Sequence, residues 1–113
     1  MSDLLCLSAT DVLQNLRQGQ LSAVELMQAT LARIEELNPN FNAIVSLADP
    51  QSLLEQAKAT DAAPNKGPLH GLPFAVKDLA DVVGFPTSQG SPLFAGALPK
   101  DDEPMVARLR AAG

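Results

Sequence analysis

The most informative stretch of the sequence is Gly67-Pro-Leu-His-Gly-Leu-Pro-Phe-Ala-Val-Lys-Asp78. It begins as a loop and then alternates large apolar residues with smaller or polar ones, the period-two pattern of a pleated strand. Lys77 falls at the end of this predicted strand, on the face opposite its large apolar side chains. A lysine in such an apolar setting loses hydration, which disfavours its charged form and makes it a candidate base near neutral pH. The alternative is an ordinary lysine at a strand end, with its ammonium group in water.

Capping signals and apolar spacing predict further elements on both sides of this stretch. We expect helices at about residues 9–18, 23–37, 50–61 and 104–112, and strands at about 43–47 and 72–77. Ser22-Ala-Val-Glu25 fits a capping box at the start of the second helix. Asn38-Pro39 should end that helix, since proline cannot continue the hydrogen-bond ladder.

The order of these elements predicts an α/β fold that the chain leaves incomplete. After the last helix, an α/β protein would continue with a strand parallel to the first, so Gly113 is expected in the middle of a βαβ unit. Residues 79–100 are rich in glycine and proline, and they are expected to form a structured loop over the strand end. We expect no internal domain boundary, so residues 1–113 are interpreted as a single segment.

Composition argues against several classes of function. The formal net charge of −5 argues against nucleic-acid binding by this segment, which would need a basic surface. One histidine and one cysteine cannot build a usual zinc site, and no cofactor is expected. The acidic run Asp101-Asp102-Glu103 could suggest a cation site, but Pro104 follows directly and favours a helix start.

The residues of the chain predict neither a membrane span nor an export signal. No apolar run approaches the ~18 residues that a membrane span needs, so no membrane partner is expected. The residues after Met1 lack the basic region of a signal peptide. A single cysteine, Cys6, cannot form an internal disulfide. Together these features predict a cytoplasmic protein.

Several polar residues near the lysine are further site candidates. His70, the one imidazole, could act as an acid or base, but its loop position favours a structural role. Asp78 is expected to fix the turn by accepting backbone hydrogen bonds, with substrate contact as the alternative. Ser91 lacks the flanking glycines of a nucleophile elbow. With Ser88 and Thr87, it is expected to shape the floor of the site.

The resemblance to a known family rests on several pieces of the chain. Gly67–Asp78 is followed by Asp81-Val-Val-Gly84, Pro86-Thr87, Gly90-Ser91 and Val106-Ala-Arg-Leu-Arg-Ala-Ala-Gly113, and this series closely resembles the amidase signature family. The resemblance runs from about Leu7 to the last residue and is strongest at Gly71–Asp78. It implies the N-terminal part of the amidase signature fold, a mixed sheet flanked by helices. It also implies that Lys77 is the catalytic lysine.

The family hydrolyses or transfers amide nitrogen with a nucleophilic serine, a bridging serine in a cis peptide, and a lysine. In the family, both serines lie on a Gly- and Ser-rich stretch downstream, and no Gly-Ser-Ser-Gly run occurs here. The resemblance therefore implies an N-terminal fragment of an amidase that carries the lysine without the serines and is inactive alone. Leu79 stands where many members have asparagine, a departure that bears on the substrate.

What the resemblance implies about partners is broader. The substrate would be a small-molecule carboxamide, and the assembly a homodimer or a set of amidotransferase subunits. In the amidotransferase variant, released ammonia is passed to a mischarged aminoacyl-tRNA. The alternative is a truncated, non-catalytic paralogue that acts as an interaction or regulatory module. What the gene encodes after Gly113 discriminates between the two.

Overall fold

A computed structural model describes residues 4–64 and 66–113. Within these ranges the chain forms α1 (Ala9–Gln18), α2 (Ala23–Phe41), α3 (Pro50–Ala62) and α4 (Pro104–Ala111), with 3-10 helices at Leu4–Cys6 and Pro92–Phe94. The chain divides into two compact units. The described residues up to Pro73, together with Gly113, are called the helical unit, and Phe74–Ala112 are called the loop unit.

Side-chain caps begin each α-helix of the helical unit. At α1, the hydroxyl of Ser8 accepts a hydrogen bond from the backbone N–H three residues on. At α2, the predicted capping box is confirmed: Ser22 N donates to Glu25 Oε2 at 2.9 Å, and Glu25 N donates to Ser22 Oγ at 3.1 Å. At α3, Asp49 accepts from Ser52 N at 2.9 Å. These bonds satisfy backbone donors that the helix itself leaves free.

Helix α2 runs about one turn beyond its predicted end. Pro39 lies inside the helix, which continues to Phe41 and ends at Asn42 with a left-handed φ of 49°. Proline removes one hydrogen bond of the ladder, yet Asn42 N still donates to Asn38 O at 2.7 Å and closes the last turn. The prediction that the helix stops at Asn38-Pro39 is therefore wrong.

No β-strand occurs in residues 4–64 and 66–113, so the predicted α/β fold with a mixed sheet is wrong. Within the first predicted strand, 43–47, the side chain of Asn38 forms hydrogen bonds with both the N–H and the C=O of Ile44. Its Nδ2 donates to Ile44 O at 2.9 Å, and its Oδ1 accepts from Ile44 N at 2.8 Å. At the second, 72–77, the chain is irregular, and Phe74 is 49% exposed. The alternating pattern predicts a strand, but a strand also needs a partner for its ladder.

One apolar core joins the three helices of the helical unit. Its buried members are Val12, Leu16, Ala23, Leu26 and Ala57. Leu72, which precedes the lysine motif's Pro73, packs against this core and is partly buried. Gly71 has a φ of 79°, and a Cβ at this position would lie 3.3 Å from the Cβ of Ala23. Glycine suits this position for both reasons: it tolerates the left-handed backbone, and it allows close approach to α2.

A carboxylate of α3 also caps α2. Asp61 Oδ1 accepts from Ala23 N at 2.7 Å, and Oδ2 accepts from Val24 N at 3.1 Å. These N–H groups belong to the first turn of α2, where a negative charge also complements the helix dipole. The start of α2 is thus fixed both by its own capping box and by a residue far along the chain.

The loop unit has little buried apolar surface and several polar ties. Within it, Val106 and Thr87 are the buried residues. Asp102 accepts from Val83 N at 2.8 Å and from Arg110 Nε at 2.6 Å. These bonds lower the pKa of Asp102, and the bond from the Val83 N–H has the largest effect. Desolvation acts in the opposite direction. Within the acidic run before α4, Asp102 therefore ties the loop at Val83 to the helix at Arg110.

The described residues offer neither a membrane span nor a clustered metal site. None of the described helices is long and apolar enough to cross a membrane. The described part of the chain also contains no cluster of three or more His, Cys, Asp or Glu side chains that could hold a metal ion.

Candidate functional site

Lys77 lies at a tight turn at the start of the loop unit. Its carbonyl oxygen accepts from Leu79 N at 2.7 Å and from Ala80 N at 3.1 Å. The first of these bonds closes a three-residue turn that has Asp78 at its centre. The side chain of Lys77 is exposed, and no carboxylate among the described residues forms an ion pair with it. The backbone of the lysine is held, whereas its amine is open to solvent.

The dry surroundings expected for this lysine are not found among the described residues. Ala75 and Lys77 are both exposed. Because residues 72–77 do not form a strand, they present no regular small-residue face along which the lysine stem could lie. Its interest as a site residue therefore rests on its place in the motif and at the turn.

Asp78 binds the loop ten residues further on. Its Oδ1 accepts from Ser88 N at 2.8 Å, and its Oδ2 accepts a hydrogen bond from Ser88 Oγ. The bond from the Ser88 hydroxyl is the main cause that lowers the pKa of Asp78, followed by the bond from the Ser88 N–H. Desolvation works in the opposite direction. Asp78 is thus a backbone hydrogen-bond acceptor, as predicted, and its partner closes a long loop.

The two residues just after Ser88 have left-handed backbone conformations. Gln89 and Gly90 have φ values of 53° and 69°, and Gln89 is one of two non-glycine residues with positive φ in the described chain. Their N–H groups also lower the pKa of Asp78, more weakly than Ser88 does. Successive N–H groups in such a turn form a concave site for an anion, and here the anion is a side chain of the protein.

The remaining candidates have local structural settings. Ser91 Oγ accepts from Leu93 N at 3.3 Å and caps a 3-10 helix. Thr87 is 8% exposed, and its hydroxyl has no partner among the described residues. His70, in the helical unit, is 5% exposed, and its backbone N–H donates to Gly67 O at 3.2 Å. The structure therefore brings Asp78 and Ser88 together, and Ser91 N donates to Ser88 O at 2.9 Å. No hydrogen bond of the described residues joins Thr87 or His70 to that pair.

Sequence reasoning missed the pairing of Asp78 with Ser88. The available signal was Ser88-Gln-Gly90, whose glycine and polar residues are typical of a turn that needs positive φ. That signal locates a turn but does not identify the side chain that the turn binds.

Two cavities of the described residues lie in the helical unit. One is lined mostly by apolar residues, Leu5, Ile34, Leu37, Phe41 and Ile44 among them. The other lies along α1 between Thr10 and Gln18. Lys77 lines neither of these two cavities.

Comparison with known proteins gives consistent matches. The family model described as Amidase matches residues 25–113. The A subunit of glutamyl-tRNA(Gln) amidotransferase from Streptomyces coelicolor is 36% identical over 116 residues, which cover 99% of this chain and 23% of the relative. The protein of the same name from Salinispora arenicola is 40% identical over 117 residues, 100% of this chain and 24% of the relative. An acylamidase of Rhodococcus erythropolis is 36% identical over 110 residues, 95% of this chain and 23% of the relative.

The chain spans about a quarter of the length of these curated relatives. The family match begins in α2 and includes the lysine motif, the loop that Asp78 closes, and α4. The relatives extend the similarity over α1, since they cover nearly the whole chain. The chain therefore belongs to the amidase family, the family that its lysine motif resembles.

Proposed function

We propose that Lys77 is the general base of an amidase that cleaves a carboxamide C–N bond by a Ser-Ser-Lys mechanism. The observation that carries this proposal is the position of the lysine. Lys77 is the lysine of the Gly71–Asp78 motif, it lies inside the range of the family match, and its carbonyl anchors a tight turn. Its exposed amine has no carboxylate partner among the described residues. The amine is therefore accessible to groups that lie outside these residues.

The chemistry follows from the weakness of a serine hydroxyl as a nucleophile, which must lose a proton to attack. As the serine Oγ bonds to the carboxamide carbon, its proton passes to the bridging serine, and the proton of the bridging serine passes to neutral Lys77 Nζ. The proton returns to the nitrogen as the C–N bond breaks, which releases ammonia or an amine and leaves an acyl-enzyme ester. Water then attacks the ester, and the same groups carry its proton back to the serine. Backbone N–H groups of the serine-bearing segment would stabilise the oxyanion.

Both serines of this mechanism are placed outside residues 1–113. The hydroxyl of Ser88 donates to Asp78, and the hydroxyl of Ser91 caps a 3-10 helix, so both have structural partners. No Gly-Ser-Ser-Gly run occurs in the chain. We therefore expect residues 1–113 to be inactive alone. The term complete enzyme denotes the protein that joins these residues to a serine-bearing segment.

The names of the relatives support two versions of the reaction. One relative is an acylamidase, and others are the A subunit of glutamyl-tRNA(Gln) amidotransferase. We propose a small-molecule carboxamide as the nitrogen donor in either version. Water hydrolyses the acyl-enzyme in both versions. In a free amidase, assembled as a homodimer, the ammonia or amine would leave into solution; in an amidotransferase, partner subunits would direct the ammonia to an aminoacyl-tRNA. The single cysteine supports a cytoplasmic location for either.

A fluorophosphonate probe, which labels activated serines, tests this division of the site. We expect the complete enzyme to be labelled at a serine outside residues 1–113, mapped by mass spectrometry, and the 113-residue chain to remain unlabelled. Lys77→Ala should slow the labelling strongly, because the serine loses its base. Lys100→Ala, at another exposed lysine of the loop unit, is the matched control.

Two outcomes would contradict the proposal. Labelling of Ser88 or Ser91 would place the nucleophile inside the chain, and an unchanged labelling rate in Lys77→Ala would remove the lysine from its role. A reading frame that encodes no serine-bearing segment after Gly113 would favour the non-catalytic module.

A further inference from the structure

We infer that Asp78 is a positioning residue for the amidase reaction: by binding Ser88 through both carboxylate oxygens, it fixes the backbone from which Lys77 projects. The inference rests on the proposed role of Lys77 as the base. Asp78 itself is not assigned contact with the substrate or the reacting atoms.

The first argument is the geometry of the turn. Asp78 is the central residue of the three-residue turn closed by Lys77 O and Leu79 N, at 2.7 Å. Any rotation about the backbone bonds of Asp78 moves the peptide that joins it to Lys77. A carboxylate held at both oxygens resists such rotation, because the side chain and its backbone must then move together. The direction in which the Lys77 side chain projects from the backbone is thus coupled to the hydrogen bonds between Asp78 and Ser88.

The second argument is the strain on the other side of the contact. Gln89 has a φ of 53°, a backbone conformation that residues other than glycine, asparagine and aspartate rarely adopt. Such conformations persist where the surroundings determine them, and they cluster at functional sites. The N–H groups of residues 88–90 all contribute to lowering the pKa of Asp78. The carboxylate of Asp78 is therefore stabilised by Ser88 and by the N–H groups of the left-handed turn that follows it.

The third argument is a comparison within the loop unit. Asp102 makes the same kind of contact, since it binds one backbone N–H and one side chain, those of Val83 and Arg110. Asp102 lies far from Lys77 along the chain, whereas Asp78 directly follows Lys77. A structural role for both carboxylates predicts similar consequences of their loss. A positioning role predicts that loss of the Asp78 contact alone acts on the chemical step.

The experiment measures kcat and KM of the complete enzyme on a simple carboxamide. We expect Asp78→Ala to lower kcat by roughly 10- to 100-fold, an effect of the size that a misplacement of about 1 Å can cause. KM should change much less, because the substrate contacts are not removed. Ser88→Ala should lower kcat in the same direction, and Ser88→Thr, which keeps the hydroxyl, should restore most of it.

The double variant Asp78→Ala/Ser88→Ala provides a test of coupling. Since both changes break one contact, the double variant should lose little more kcat than Asp78→Ala alone. Asp102→Ala is the matched control and should keep the wild-type kcat in the fraction of enzyme that is folded. If Asp78→Ala does not fold, the pair Ser88→Ala and Ser88→Thr decides the question.

Wild-type kcat in Asp78→Ala or in Ser88→Ala, additive losses in the double variant, or an equal loss in Asp102→Ala would overturn the inference. Lys77→Ala, measured beside these variants, separates it from the proposed function. If Lys77→Ala is inactive and the Asp78 and Ser88 variants are normal, only the positioning role fails. If Lys77→Ala is fully active, the proposed base fails, and the positioning role fails with it.

Discussion

The helical unit and the loop unit are stabilised by different interactions. In the helical unit, five buried apolar residues from three helices form a core, and polar caps finish the helix ends. In the loop unit, Val106 is the one buried apolar residue, and Asp78 and Asp102 hold the irregular backbone through their carboxylates. An apolar core resists changes of pH, whereas a carboxylate contact depends on charge. The proposed base lies in the loop unit, which buries fewer apolar residues and so depends more on its carboxylate contacts.

The largest effect expected from this comparison concerns the core. Leu16→Ala should lower the free energy of unfolding of the helical unit by about 2–5 kcal/mol, because it removes buried methyl groups and leaves a cavity. Leu16 is 4% exposed, whereas Leu93 in the loop unit is 90% exposed. Leu93→Ala is therefore the matched control, with an expected change of about 0.5 kcal/mol or less. Urea denaturation followed by circular dichroism measures both.

Equal effects of these two substitutions would contradict the difference between the two units. They would mean that the core around Leu16 contributes no more to stability than a leucine side chain in solvent does. A large loss of stability in Leu16→Ala with no loss in Leu93→Ala would support that difference.

A smaller effect is expected from acid, mainly in the loop unit. The pKa values of Asp78 and Asp102 are lowered in the folded chain by the hydrogen bonds they accept. Their contribution to stability is therefore complete above the unfolded value of about 3.9 and is lost as pH falls through the lower, folded value. Hydrogen exchange, corrected for intrinsic rates, should show the amides of Ser88 and Val83 losing protection in acid before that of Leu16.

Asp102→Asn provides the control for the acid experiment. It should reduce the protection of Val83 at neutral pH and weaken its further loss in acid, while leaving the response of Ser88 intact. Glu25, in the capping box of α2, also has a lowered pKa, so a small acid response at the start of that helix is expected as well. Simultaneous loss of protection at Leu16, Val83 and Ser88 would contradict the division between the two units.

The same contrast explains which parts of the structure can be predicted from the sequence. The starts of α2 and α3 follow from Ser22, Glu25 and Asp49, because a cap is a contact between residues a few positions apart. Strand formation at 72–77 could not be decided from alternation, because a ladder depends on a partner elsewhere in the protein. The bond between Asp78 and Ser88 joins residues ten apart with no fixed spacing rule.

The candidate site divides in the same way. Lys77 could be singled out from its motif, since the residues around it carry the family resemblance in consecutive positions. The exposure of its side chain could not be predicted from the motif, because burial depends on what packs against the turn. The end of α2 beyond Pro39 was missed for a related reason: the side chain of Asn38 stabilises the chain that follows.

The most direct test of the central claim is the kcat/KM of the complete enzyme with Lys77→Ala on a simple carboxamide. Loss of a general base typically costs ~10²–10⁴ in rate, and more when the base belongs to a triad. Lys77→Arg should be nearly as damaging, because a guanidinium does not give up its proton at working pH. Lys100→Ala should keep the wild-type value. A folded Lys77→Ala enzyme with wild-type kcat/KM would contradict the claim that Lys77 is the base.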